Sequence, residues 1–315
     1  MKRELAPVLT ALILCLPPAD AEGAAKKEKE VAAPGGRPSF AETVEGLERR
    51  DGLVAFWVDD DAGKIWLEIP AEAWTEPLEL LYIEALESGL GSNPVGLDRG
   101  QLGPTRVVRL RPVGGKLLIE ERNLGYRALS ENPREVAAVE SSFATSVLWA
   151  GPIATRDDDG TGLVDLTTFL LRDAHEVVRT LEETEQGTFQ LDAERSAVDL
   201  DACLAFPDNV ELTAVLTYGG KKVGEHVRST APTADSVTLV QHHSFVRLPP
   251  EGYHPRPFDP RAGSFAIRFA DYAADLAAPL EKRWIVRHRL EKTDPTAASS
   301  PVVEPIVYYV DSGAP

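Results

Sequence analysis

The chain has 315 residues, with 33 Lys and Arg against 50 Asp and Glu and a formal net charge of −17. That field repels polyanions, so it excludes nucleic acid and an anionic membrane surface as natural partners. Of its two cysteines, Cys15 falls in an N-terminal leader, which leaves Cys203 alone and no intramolecular disulfide to hold the mature chain.

In chain order, Lys2 and Arg3 precede an apolar run from Val8 to Leu16. Pro17 and Pro18 break the run, and Ala19-Asp20-Ala21 supplies a small-x-small cleavage pattern, so residues 1–21 read as a signal peptide. The run is about half as long as a bilayer-spanning helix requires, so no transmembrane segment is expected after cleavage. The product is expected to be exported, periplasmic or extracellular. Residues 22–37 carry the Lys26-Lys27-Glu28-Lys29-Glu30 charge run and Pro34-Gly35-Gly36, the composition of a disordered tether.

Residues 38–90 read as a small β-hairpin region. Strands over Leu53–Val58 and Lys64–Ile69 flank an acidic loop at Asp59-Asp60-Asp61, and a third strand covers Leu78–Ala85. A loop rich in turn formers, Gly89 to Gly103, follows. Residues 91–295 read as a β-rich accessory domain. It opens with a hairpin of Arg106–Arg111 and Lys116–Glu121 around Gly114-Gly115. Leu166, Leu170, Ala174, Val177 and Leu181 recur at helical spacing, which predicts one main helix over about 166–184 with Asp165 as its N-cap. Strands are expected again at Val210–Tyr218, Lys222–Arg228 (after a Gly219-Gly220 turn) and Val237–Leu248. Pro249–Arg261 holds five prolines and reads as a surface loop. Trp284–Leu290 alternates once more. Residues 296–315 read as a linker and, at Ile306–Val310, an apolar strand without neighbours to bury it. The expected fold class is α+β, strand-dominated antiparallel sheets with one main helix.

No complete catalytic constellation stands out. His175-Glu176 begins a helical zinc motif, but position 179 is Arg where the second His is required. His242 and His243 are adjacent on an expected strand, which sends them to opposite faces, so they chelate one ion only where the backbone bulges or where one of them pairs with His226 or His254; with His175 they are the candidate ligands. Asp59-Asp60-Asp61 and Asp157-Asp158-Asp159-Gly160 lack a full calcium ligand set. Cys203 reads as a buried free thiol rather than a metal cap. The basic strip of Arg283, Arg287 and Arg289 with Trp284 stands out against an acidic chain as a contact surface. No cofactor is expected in this chain.

Several long, ordered strings carry a resemblance. They include Gly63-Lys-Ile-Trp-Leu-Glu-Ile-Pro70, Gly89 to Gly103, Ser142 to Trp149, Phe169-Leu-Leu-Arg-Asp-Ala-His175, Gln241-His-His-Ser-Phe245, Arg283 to Lys292, and Pro305 to Asp311. Through them the chain resembles the N-terminal region of bacterial secreted zinc-dependent metalloproteases of metzincin type, over roughly Phe40 to Pro315. In that family a catalytic domain bearing HExxHxxGxxH follows, and no residue of that motif exists here, so no catalytic residue carries over. The resemblance implies a non-catalytic accessory region, with zinc held in the missing catalytic domain and that domain as partner in cis or in trans. It also implies that the Ile306–Val310 run is the first strand of the absent domain. The alternative expectation is a stand-alone exported binding protein for peptide or glycan.

Overall fold

The computed structural model describes residues 38–308 and 310. The expected signal peptide, the expected tether, Tyr309 and residues 311–315 lie outside the described residues. A short helix α1, Phe40–Val44, opens on a capping box in which Ser39 and Glu42 satisfy each other's backbone amides. Strands β1 (Glu48–Arg50), β2 (Phe56–Asp59), β3 (Lys64–Ile69) and β4 (Leu78–Leu86) follow. In β3 the alternation is strict, with Ile65, Leu67 and Ile69 buried and the residues between them partly exposed.

Next come β5 (Arg106–Val113), β6 (Lys116–Glu121), β7 (Tyr126–Arg127), α2 (Pro133–Ser142), β8 (Ser146–Arg156) and β9 (Gly162–Asp165). Two short helices, α3 (Thr167–Leu170) and α4 (Val177–Glu183), lead to the long strands β10 (Thr188–Ala205) and β11 (Asn209–Lys221). After α5 (Glu225–Thr230) the chain finishes with β12 (Ser236–Arg247), β13 (Ala266–Asp271) and β14 (Glu281–Ile285).

Eleven strands form one sheet in the order β1-β2-β3-β9-β8-β6-β5-β4-β12-β11-β10. Every neighbouring pair in it is antiparallel. The sheet curls until its two edges touch: the Arg50 guanidinium donates to the Leu200 carbonyl at 2.6 Å, and Leu53 N donates to Phe206 O at 2.7 Å. Curling solves the edge problem by turning the inner face into a closed apolar core. Phe56, Ile65, Leu80, Tyr82, Val108, Leu110, Leu117, Ile119, Leu212, Leu216 and Leu239 line it, all essentially removed from water. Each full burial of this kind contributes about 2 kcal/mol. Strands from both sides of residue 90 interleave in this sheet, since β4 lies between β5 and β12 and β3 pairs with β9.

The expected α+β class gives way to a mostly-β fold, and the segment chosen as the main helix explains why. The periodic residues Leu166, Phe169, Leu170, Ala174, Val177 and Leu181 are all buried, as their spacing demands. The helix itself is interrupted between Leu170 and Val177. Glu176 takes a left-handed backbone (φ 54°), and the Asp173 carboxylate caps α4 by accepting from Val177 N at 2.8 Å and Val178 N at 2.9 Å. Apolar spacing is preserved because the segment plugs the interior of the curled sheet, and two short helical turns achieve that as well as one long helix. The N-cap of α3 is Leu166 and not Asp165, although the Asp165 carboxylate still accepts from Thr167 N at 3.0 Å.

Asp173 also accepts from the buried Tyr218 hydroxyl at 3.1 Å. Asp173→Ala therefore removes a cap and strands a buried phenol, and we expect it to lower stability by about 2 kcal/mol in urea unfolding. Asp173→Asn should recover part of the loss; equal stability of the Ala variant and the natural chain would deny the cap its role.

Two further expectations change. Lys222–Arg228, read as a strand, contains a turn and the start of α5, and the Gly219-Gly220 pair lies inside β11 instead of turning. Gly220 is needed there because a Cβ would come within 2.2 Å of the Phe189 ring. Ile306–Val310, read as a strand, forms none among its described residues, and Ile306, Val307, Tyr308 and Val310 are exposed.

A second sheet of three strands, ordered β14-β13-β7, is built from the C-terminal part of the chain and β7, with β13 and β7 parallel. Tyr126 on β7 stacks on Phe143 at 3.9 Å, with Tyr272 tilted against both, and Asp271 accepts from Leu129 N at 3.0 Å. Those contacts tie the small sheet to the α2 region.

Candidate functional site

The densest polar chemistry lies inside the curled sheet, where β4, β12 and β11 face the 171–176 segment. Strand alternation puts Tyr82 and Glu84 of β4 and Gln241, His243 and Phe245 of β12 on the inner face. Gln241 is the hub. Its Oε1 accepts from Ala174 N and His175 N, each at 3.0 Å, and its Nε2 donates to the Arg172 carbonyl at 3.0 Å and to His243 Nε2 at 2.9 Å. Because two backbone amides fix the oxygen side of the amide, Nε2 must donate and His243 Nε2 must accept. The His243 proton then sits on Nδ1 and is given to the Tyr82 hydroxyl oxygen at 2.8 Å, which also accepts from Arg172 Nη2 at 2.8 Å.

His243 is fully buried. Burial first, and the Arg172 charge second, push its pKa down to about 3. Burial likewise raises the Tyr82 phenol well above its ordinary value. Phe169 packs against Tyr82, His243 and Phe245 at centroid distances of 5.3 to 5.7 Å. Arg172 lies over the Phe169 ring at 4.4 Å. A neutral imidazole with both nitrogens engaged and no path to water does no acid–base work on a substrate. It holds the plug to the sheet.

His242 faces the other way, on the outer side of β12. Its Nδ1 lies 2.9 Å from Thr213 Oγ1 and its Nε2 2.6 Å from Glu211 Oε2, and Ser244 Oγ also donates to Glu211. Burial works to raise the Glu211 pKa, but donors from His242, Ser244 and Asn209 outweigh it and hold the carboxyl below its usual range. The hydroxyl–imidazole–carboxylate line has the spacing of a nucleophile relay. Thr213, however, is only 2% exposed and lies mid-strand, paired to His242, so no acyl group reaches its hydroxyl. This arrangement is a cross-strand clamp between β11 and β12.

His175 is half-buried beside the plug. Burial lowers its pKa against the opposing pull of Glu84, Asp173 and Glu176, and its Nδ1 is buried without a partner. His175, His242 and His243 therefore have three different environments. Among the described residues, no three His, Cys, Asp or Glu side chains are placed to share a metal ion. Asp157 and Asp159 spend their oxygens on the turn amides of Gly160 and Thr161. The Cys203 thiol is buried, donates to Asp199 O at 3.2 Å, and has its pKa pushed up to about 11 by burial. In the Gly89 to Gly103 loop a Cβ on Gly89 would fall 2.2 Å from Leu97 O, whereas Gly91, Gly96 and Gly100 supply left-handed backbone, with φ of 77°, 82° and 79°.

The basic strip divides. Trp284 turns inward, edge-on to Phe269 at 4.6 Å with Arg127 over its ring. Arg289 pairs with Glu291 and donates to the Pro250 and Glu251 carbonyls. Arg287 donates to the His254 carbonyl at 2.7 Å and lies over Tyr253. Arg287 and Arg289 thus brace the proline-rich 249–261 segment.

A family model described as a domain of unknown function, DUF5117, matches residues 100–293. The chain belongs to the DUF5117 family. The matched range begins just before β5 and ends after β14, and it includes Arg172, Gln241 and His243. It leaves out β1 to β4, although β4 supplies Tyr82 and separates β5 from β12 in the sheet. The DUF5117 range therefore needs the preceding strands to close its core. No curated protein and no solved structure matches the chain.

Sequence reasoning singled out the three histidines but missed Gln241, Arg172 and Tyr82, which give His243 its role. A Gln in the inward-facing series Val237, Leu239, Gln241, His243 and Phe245 of an alternating strand was the available signal, since a buried amide requires partners.

Proposed function

We propose that this chain is the non-catalytic accessory region of an exported zinc metalloprotease of metzincin type, serving as a folding and docking scaffold for the zinc-bearing catalytic domain. The observation that carries the reading is the distribution of exposed apolar side chains. Phe265, Leu276, Leu280, Val286 and Val303 stand in solvent within the C-terminal part of the chain, and Ile306, Val307 and Tyr308 continue the series. Exposed apolar side chains concentrated in one stretch of chain suit a protein contact. Here it lies toward the end of the chain, where the resemblance places the catalytic domain.

The internal chemistry supports a scaffold as well. Gln241, His243 and Tyr82 hold one another, and the hydroxyl–imidazole–carboxylate line has no open ground beside it. The zinc belongs to the partner: the three histidines singled out here occupy separate environments and form no ligand set for it.

The test adds the full chain in trans to a separately produced zinc-bearing catalytic domain of a resembling protease. Sedimentation velocity should detect a complex with a dissociation constant on the order of micromolar, roughly −8 kcal/mol, and recovery of active protease on refolding should rise. Absence of both would overturn the proposal.

A further inference from the structure

On the large sheet, arginines are matched to glutamates: Arg106 to Glu84, Arg109 to Glu79, Arg111 to Glu120, and Arg122 to Glu79 and Glu140. The small sheet departs from that pattern. Arg268 on β13 stands directly opposite Arg283 on β14, so both side chains leave the same face. Along the other side of β14, Pro257 bridges antiparallel to Trp284, with Phe258 N donating to Arg283 O and Ile285 N to Arg256 O, each at 2.9 Å. That register sets Phe258 opposite Arg283 and Arg256 opposite Ile285, on the face that also carries Arg268. The Arg283 guanidinium lies 4.1 Å from the Phe258 ring centroid, and its Nε is buried without an acceptor.

Arg256, Arg268 and Arg283 make no ion pair with any described carboxylate, in a chain that has 50 acidic residues. Like charges directly opposite on a sheet destabilise it. A counter-charge from outside removes that repulsion.

We propose that this face, with Arg256, Arg268 and Arg283 set around Phe258 and Ile285, docks an acidic polypeptide segment. The face is about 10 Å across, two inter-strand spacings, which suits a few carboxylates and not a long polyanion. A nucleic acid running past the patch would lie within roughly one Debye length, about 10 Å at moderate salt, of the carboxylates of a chain with net charge −17. Carboxylates at alternate positions of an extended segment, ~7 Å apart, reach two guanidinium groups while the backbone between them lies over Phe258 and Ile285. The inference does not depend on the metalloprotease reading, because it concerns the charge of the docked segment and its test contains no protease.

The test titrates the full chain into a short fluorescein-labelled peptide alternating Glu and Ala and follows anisotropy. Saturable binding is expected, weakening with added salt, and falling at least about tenfold in Arg268→Glu and in Arg256→Glu. Both substituted positions are exposed, so thermal melts should stay cooperative, and either variant alone suffices if the other fails to fold. Lys116→Glu, on the large sheet, should bind as the natural chain does. The proposal falls if the natural chain shows no saturable binding or if the arginine variants bind unchanged. It falls equally if oligothymidylate or a sulfated oligosaccharide binds more tightly than the peptide.

Discussion

Replacing Gln241 with Leu should cost roughly 3–5 kcal/mol of stability, one of the two largest effects expected in this chain. The side chains are similar in volume, so packing changes little and the loss is polar. Without the amide, Ala174 N and His175 N lose their acceptor, the Arg172 carbonyl loses a donor, and His243 Nε2 is left unpaired. Each buried group so stranded costs about 1–3 kcal/mol, less where the 172–175 backbone relaxes toward water. Urea unfolding at neutral pH measures the change. A difference under about 1 kcal/mol would mean that this amide does not hold the plug, and that apolar contacts of Phe169, Val177 and Leu181 suffice.

The second large effect is acid lability. His243 is neutral in the folded chain, with a pKa pushed down to about 3, against about 6.5 for an unfolded histidine. The unfolded state therefore binds one more proton between those values. The stabilisation is complete above about pH 6.5 and is lost as pH falls toward 3, at about 1.4 kcal/mol per pH unit. Between pH 7 and 4.5 this group alone should remove roughly 2–3 kcal/mol. His175, lowered by burial, and Glu211, held low by its donors, act in the same direction. The measurement is therefore a difference: urea midpoints of the natural chain and of His243→Leu across that pH range. The variant starts less stable and should show the shallower slope. Parallel slopes would mean that His243 titrates normally and that the core admits water.

Both effects arise at one place, where a strand-borne amide and imidazole meet the irregular backbone of the plug. Gln241, His243 and Tyr82 satisfy one another only when all three are in place, which specifies a single arrangement, while Arg172 Nε and His175 Nδ1 stay buried without a partner.

How much of this was legible in advance depended on whether the signal was local. Lys64–Ile69 and Lys116–Glu121 were read with the bounds the structure has, because strict alternation and flanking turn formers are local properties. The longest strand, Thr188–Ala205, left no such trace. It is an edge strand with charged side chains and two register shifts, so its alternation is broken twice. The opposite faces of His242 and His243 followed from strand geometry alone. Their roles did not, since Tyr82 lies 161 positions from His243 and Glu211 31 from His242.

In the 166–181 segment the sequence by itself determined which residues leave water. The periodic positions of 166–181 are buried as their spacing required, because burial follows hydrophobicity whatever backbone delivers it. Only the tertiary structure decided that this segment breaks at Asp173, that a Gln on β12 takes its free amides, and that arginines of the small sheet meet without a carboxylate between them. Hydrogen bonds and ion pairs are directional and close over a few ångströms, so they are decided by which strands the curled sheet brings side by side, and no periodicity within one segment encodes that.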